Sequence, residues 1–338
     1  MENCTTDLDL KAFNHTRMVF NHTRMMPMHG SLFYTIVFKL HLYIHPVLCI
    51  AGVIENTISV VIFCSKSLRM VSSNVYLAAL SATSSLFCAA NFVVWLETVD
   101  VGFFHQDVVC QTIIYSTYIC SFLTVWFVVC ITFENFLITV NIKCAVTVCT
   151  VKKARIMVCI LTGLAFALYT FSLWTTNVMH IGGSDHCAYE IKFEQVLHIF
   201  TYIDITITSV LPFVSMVIFL GAIYVKLILK RVSKQPIATY HQPRRCRRNS
   251  KRTYQMLTRI TRVLLAIGLT FTVFSFPTSV NKIRILVSNR PTPSFLHVEW
   301  AINQLCLIIY YCSFCIYFFI YLRFSTNYKK VLLRYVCK

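Results

Sequence analysis

Asp204 is an acid inside an otherwise uncharged run from Glu194 to Lys226. A carboxylate in such a run is costly unless it is paired or hydrated, which marks the position as functional by default. Two readings stand: a counter-ion for a cationic ligand group, or an acid hydrated near a helix end. Glu55 breaks the run from Lys39 to Lys66 in the same way and adjoins Asn56, where it could simply complete a polar cluster. His41 and His45 share a helix face at i and i+4, but such a pair is more often structural than metal-binding. No other metal-ligand spacing, phosphate-binding glycine loop or nucleophile elbow occurs. Enzyme chemistry is therefore not expected, and neither a metal nor a cofactor is implied. Asn3, Asn14 and Asn21 each head an Asn-x-Thr acceptor for N-glycosylation. Cys337 follows a basic amphipathic stretch and is a candidate for palmitoylation.

The elements around these residues follow from where charge is missing. Of the 338 residues, 57% are hydrophobic and only 13% charged, roughly half the share of a soluble domain, so most of the chain does not face water. A spanning helix needs about 20 apolar residues. Charge-free runs of that length lie between Arg69 and Glu97, Asp107 and Glu134, Arg155 and Asp185, Arg262 and Lys282, and Glu299 and Arg323. The two runs interrupted by Glu55 and Asp204 bring the number to seven. None alternates in polarity as barrel strands do. The fold class is thus an all-α membrane protein, a seven-helix bundle over 39–324, with a tail at 1–38 and a short amphipathic helix and tail at 325–338. No apolar signal segment opens the chain, so the first spanning helix is expected to direct insertion.

The net charge of +18 would suit a nucleic-acid binder were it not segregated. With the N-terminus outside, 23 of the 31 Lys and Arg fall on the cytoplasmic side with a single acid, Glu134. The outer side takes 8 basic and 10 acidic residues. Lys and Arg gather on the cytoplasmic side of membrane proteins, so this orientation is the expected one, at the plasma membrane, and the three sequons agree with it. The loop over 230–256, with Pro243-Arg-Arg-Cys-Arg-Arg-Asn-Ser-Lys-Arg252, is suited to anionic lipid head groups or an acidic cytosolic partner rather than to nucleic acid.

Particular residues then carry a likeness. The first helix has Gly52-Val-Ile-Glu-Asn56, and the second Asn74-Val-Tyr-Leu-Ala-Ala-Leu-Ser. Cys110 opens the third helix and Glu134-Asn135-Phe136 closes it; Pro212 lies in the fifth. Phe271-x-x-Phe-Ser-Phe-Pro277 lies in the sixth and Tyr317-Phe-Phe-Ile-Tyr321 in the seventh. In order and spacing the chain resembles a rhodopsin-like (class A) G-protein-coupled receptor over about residues 40–335. The resemblance implies a disulfide from Cys110 to Cys187, and a switch region at Glu134, Asn135, Phe136, Phe271, Pro277 and Tyr321. It implies a ligand pocket lined by Thr117, Tyr118, Ser121, Phe122, Thr278, Lys282, Asn303, Leu307 and Tyr311, and puts Asp204 on the face of helix 5 turned toward that pocket.

Departures from the family pattern are as telling. Ser84 stands for the second-helix Asp, Asn135 for the Arg of Asp-Arg-Tyr, and Leu220 for the fifth-helix Tyr. Ser275 stands for the sixth-helix Trp and Phe318 for the seventh-helix Pro. Thr117 replaces the acid of the amine receptors, and Tyr311 the Schiff-base lysine of the opsins. The expectation is a cell-surface receptor for an extracellular ligand, a peptide favoured, acting on a G protein or arrestin through movement of helix 6. The altered switch keeps open a non-signalling decoy receptor. A transporter or channel is disfavoured, because no inverted repeat is visible.

Overall fold

The computed structural model describes residues 32–99, 101–102, 106–140, 142–181, 184–232, 244–287 and 293–336. The three sequons and Cys337 lie outside the described residues. Among those described, seven helices are long and apolar enough to cross a membrane. In chain order they are α1 (Leu32–Phe63), α2 (Ser72–Leu96), α3 (Asp107–Val140), α4 (Val151–Tyr169), α5, α6 (Arg244–Val287) and α7 (Pro293–Phe324). Helix α5 is composite: Glu194–Ile205, a π turn at Thr206–Val210, then Leu211–Val232. An eighth helix, α8, spans Thr326–Val336; it buries Tyr328 and Val331 and exposes Lys329, Lys330 and Arg334, the division an interfacial helix requires.

Two boundaries differ from the sequence expectation. Helix α1 begins at Leu32, ahead of the tail boundary expected at 38. Lys39 is exposed within it, and a lysine stem can carry its ammonium out of an apolar layer, so this charge does not end the helix. The early turns are held by packing instead: Tyr34 and Val37 are buried with Ala301 of α7, and the Tyr34 ring lies 5.4 Å from that of Trp300. Similarly, α6 starts at Arg244, inside the stretch read as a loop over 230–256, because a basic run without Gly or Pro continues a helix readily.

Helix α3 is the most buried of the spans and packs against α2, α4, α5 and α6, while α7 closes the bundle onto α1 and α6. The core runs down its length through Leu80, Phe87, Phe122, Phe127, Phe271 and Phe314. Where α1 crosses α2 the helices come close: a Cβ on Gly52 would fall 2.6 Å from Cys88 Sγ, so a larger residue there requires the Cys88 side chain to move. Asn56, one turn further, donates to the carbonyls of Gly52 (2.8 Å) and Phe314 (3.3 Å), tying α1 to α7.

Between α4 and α5 lies the antiparallel hairpin β1 (Thr176–Ile181) and β2 (Ser184–Tyr189). Cys187 of β2 is joined to Cys110 near the start of α3, with Cα atoms 5.7 Å apart. Two further bonds dock the hairpin on α3: Val178 N–H donates to Asp107 (3.0 Å) and Gln111 to Asn177 (2.7 Å). Lys192 pairs with Glu190 just beyond β2, and its ammonium, with help from the Asn177 amide, holds the Glu190 carboxyl below the usual carboxylate range.

Candidate functional site

Beneath the hairpin end a cavity of about 100 Å³ opens between α3, α5, α6 and α7. Its α6 wall is Phe271, Ser275, Thr278, Ser279 and Lys282, residues three and four apart that share one helix face. Pro277 sits inside α6 among them; it has no N–H to give the carbonyl four residues back, so the helix lacks one backbone bond at the level of the cavity. The α5 wall comes from the π turn. Leu211 N–H reaches back five residues to the Thr206 carbonyl, next to Pro212, which can donate nothing. That widened turn presents Thr208 and Ser209 to the cavity, followed by Pro212, Phe213 and Met216. Ser121 and Val125 of α3, Leu307 and Tyr310 of α7, and Phe87 of α2 complete the lining.

Four of the ten residues expected to bind ligand line this cavity: Ser121, Thr278, Lys282 and Leu307. The other six lie outside the lining. Thr117 donates to the Ile113 carbonyl of its own helix (2.5 Å). Tyr118 hydrogen-bonds Tyr189 of the hairpin (2.6 Å) and stacks on Tyr169 with centroids 5.3 Å apart. Phe122 packs edge-on to the same Tyr169 (6.1 Å). Asp204 accepts from Tyr169 Oη at 2.6 Å, so its carboxylate is engaged by α4. Asn303 accepts from Asn281 (3.2 Å). Tyr311 donates to Asn91 (2.8 Å) and stacks on His45 (4.9 Å). His45 in turn meets His41 with Nδ1 atoms 3.1 Å apart, a side-chain contact within α1. Sequence reasoning missed Ser275 and Ser279, which the three-and-four spacing from Phe271 to Lys282 could have supplied, and the whole α5 wall, which it could not.

Of the six switch residues, Phe271 and Pro277 lie at the cavity, and Glu134, Asn135, Phe136 and Tyr321 gather at the opposite end. Glu134 is buried and accepts from Ser73 (2.7 Å) and Ser72 (3.2 Å) at the start of α2. Asn135 is fully buried, and neither its amide nitrogen nor its oxygen has a hydrogen-bond partner among the described residues. Phe136 stacks on Phe219 of α5 with centroids 5.5 Å apart. Tyr321 packs edge-on to Phe63 (4.9 Å) and against Tyr328 of α8 (5.3 Å). Phe271 joins the two ends, packed edge-on to Tyr310 (6.1 Å) beside the cavity. Between the ends, Gly268 of α6 lies against α3: a Cβ there would fall 2.9 Å from Thr132 Oγ1 and 3.6 Å from Leu220 of α5.

Comparison with known proteins agrees with this architecture. Residues 55–321 match the family described as 7 transmembrane receptor (rhodopsin family). Among curated proteins, the chain is 23% identical over 290 residues to melanin-concentrating hormone receptor 1 of Rattus norvegicus, covering 84% of this chain and 77% of that one. A cavity between α3, α5, α6 and α7, a hairpin tethered to α3 by a disulfide, and a family match over most of the chain lead to one conclusion: the protein belongs to the rhodopsin family of seven-transmembrane receptors, and is a receptor rather than an enzyme.

Proposed function

We propose that the chain is a plasma-membrane receptor for an extracellular peptide, with the N-terminus and the hairpin end outside and the α8 end in the cytoplasm. The observation that carries this reading is the cavity of about 100 Å³ between α3, α5, α6 and α7, small enough for one ligand group. Ligand pockets for whole drug-sized molecules run to about 300–1,000 Å³. A ligand anchored here therefore rests most of its bulk on the outer surface, as a peptide does. A relative named for a hormone supports the same reading. The clustering of Lys and Arg toward one face supports the orientation. A ligand that prefers the form with α6 swung away from α3 would shift the population toward it and open the cytoplasmic end to a G protein or arrestin.

A second reading, a binding receptor that signals weakly or not at all, is favoured by Asn135 and Leu220 at the cytoplasmic end. The test of the main reading is a peptide screen on cells expressing the chain, scored by arrestin recruitment and by surface binding. Ser275→Phe, which fills the cavity, is expected to abolish both responses to any active peptide at equal surface expression. A response that survives Ser275→Phe would place the ligand site elsewhere. A tag ahead of Leu32 should be stained in intact cells; staining only after permeabilisation would reverse the orientation.

A further inference from the structure

The cavity has one charged wall residue, Lys282, and no acid. The hydroxyls of Ser121, Ser209, Ser275 and Ser279 line it as well, with no hydrogen-bond partner among the described residues. Two acids at this end are engaged elsewhere. Asp204 accepts from Tyr169, and Glu299 is held by both arms of the Arg284 guanidinium, which also donates to Asn281. Among the described residues no acid lies within ion-pair distance of Lys282. An ammonium with free hydroxyl donors, backed by Phe213, Met216, Phe271 and Leu307, disfavours a cation and favours an anion, the more so because these apolar walls weaken screening.

We propose that the group entering this cavity is a carboxylate, held by Lys282 and the serine hydroxyls. The proposal rests on reading the cavity as the ligand site, and reverses the charge that Asp204 would have selected. A cavity of about 100 Å³ takes a carboxylate and part of one side chain. A peptide offers that chemistry in two ways: through a free C-terminus, or through an Asp or Glu side chain. The hydroxyls suit either, since a carboxylate has lone pairs for several donors at once and charge-assisted bonds are the strong ones.

The experiment uses the purified full-length chain in lipid nanodiscs and the thermal unfolding midpoint at millimolar probe. N-acetylphenylalanine presents a terminal carboxylate and N-acetylglutamate α-amide a side-chain one. N-acetylphenylalanine amide is the neutral control and phenethylamine the cationic one. At least one acid is expected to bind roughly tenfold more tightly than either control, a difference of about 1.4 kcal/mol. That preference should persist in Lys282→Arg and vanish in Lys282→Met, which keeps the stem and loses the charge. Which acid is preferred identifies the source of the carboxylate. Equal binding of acid and amide, or tighter binding of the amine, with both abolished by Ser275→Phe, would overturn the carboxylate and leave the cavity standing. Shifts unaffected by Ser275→Phe, or no shift with any probe, would overturn both.

Discussion

Tyr169 donates to the Asp204 carboxylate at 2.6 Å, Tyr118 stacks on Tyr169, and Tyr118 bonds Tyr189 at 2.6 Å. The acid thus anchors a tyrosine cluster that joins α3, α4, α5 and the hairpin. Its residue type was legible in the sequence as unusual, but its direction was not. Counting back from Pro212 assumes an unbroken α-helix, and a π turn carries one more residue, which rotates what precedes it by about 100° relative to that count. The consequence is a coupled stability effect. Asp204→Asn and Tyr169→Phe should each cost about 1.5–3 kcal/mol, the range for a hydrogen bond to a charged group. The double variant should cost little more than the worse single one, because both remove the same bond. Unfolding midpoints of the three variants in nanodiscs measure this; additive losses would separate the two residues. Deeper in the bundle, Ser84 and Thr124 bury hydroxyls without a partner where related receptors place an acid beside sodium. Two neutral hydroxyls, without a carboxylate, supply too little to repay the dehydration of a cation. Exchanging Na⁺ for an organic cation at equal ionic strength should leave the unfolding midpoint unchanged, and a Na⁺-specific rise would mean that another acid, Glu55 first, has taken the role.

At the scale of elements, the seven spans could be read from missing charge because the bilayer leaves helices no alternative partner for their backbone groups. What charge could not give was where packing extends or re-aims a helix. Leu32 begins α1 because Tyr34 and Val37 pack on α7, and Thr208 and Ser209 face the cavity because α5 carries a π turn. The α6 wall was half legible, since the family resemblance supplied Thr278 and Lys282 while Ser275 was weighed only as a missing tryptophan. The approach of α6 to α3 was not legible at all, because it depends on Gly268 lying opposite Thr132. Thr132 Oγ1 is already committed to the Val128 carbonyl at 2.8 Å, so it cannot turn aside without losing that bond. Gly268→Leu should therefore lift α6 from α3, lower the unfolding midpoint, and speed amide hydrogen exchange over residues 263–270, with Gly268→Ala intermediate. Unchanged exchange in Gly268→Leu would show that Thr132 yields and that this crossing does not hold α6.

For the molecule as a whole, the two ends carry different weights of the family pattern. The hairpin end has the disulfide that the resemblance implies, while at the α8 end Asn135 stands where the family has an arginine. In the family the arginine after the third-helix acid swings into the opened end and meets the G protein. Asn135 is shorter and neutral, and it cannot form a charge-assisted bond of that reach. Its neighbour Glu134 is tied to Ser72 and Ser73, so the acid already has partners that need no arginine to satisfy it. An amide buried with both polar atoms unpaired costs about 1–3 kcal/mol, which weakens the packed form without supplying contacts to the open one. Leu220 adds no hydroxyl to hold that open form, although Tyr321 is retained. The basic stretch from Lys226 to Arg262 carries twelve Lys and Arg with no acid, and its field can still draw an acidic partner. Attraction without an inserted arginine predicts encounter with little catalysis of exchange. G-protein nucleotide exchange in purified membranes should accordingly be weak for the native chain. It should rise in part for Asn135→Arg combined with Leu220→Tyr, and stay near the native level for Leu220→Tyr alone, because a hydroxyl on α5 has no arginine to steady. Robust agonist-driven exchange by the native chain would overturn this, and would assign coupling to the basic third loop rather than to the end of α3.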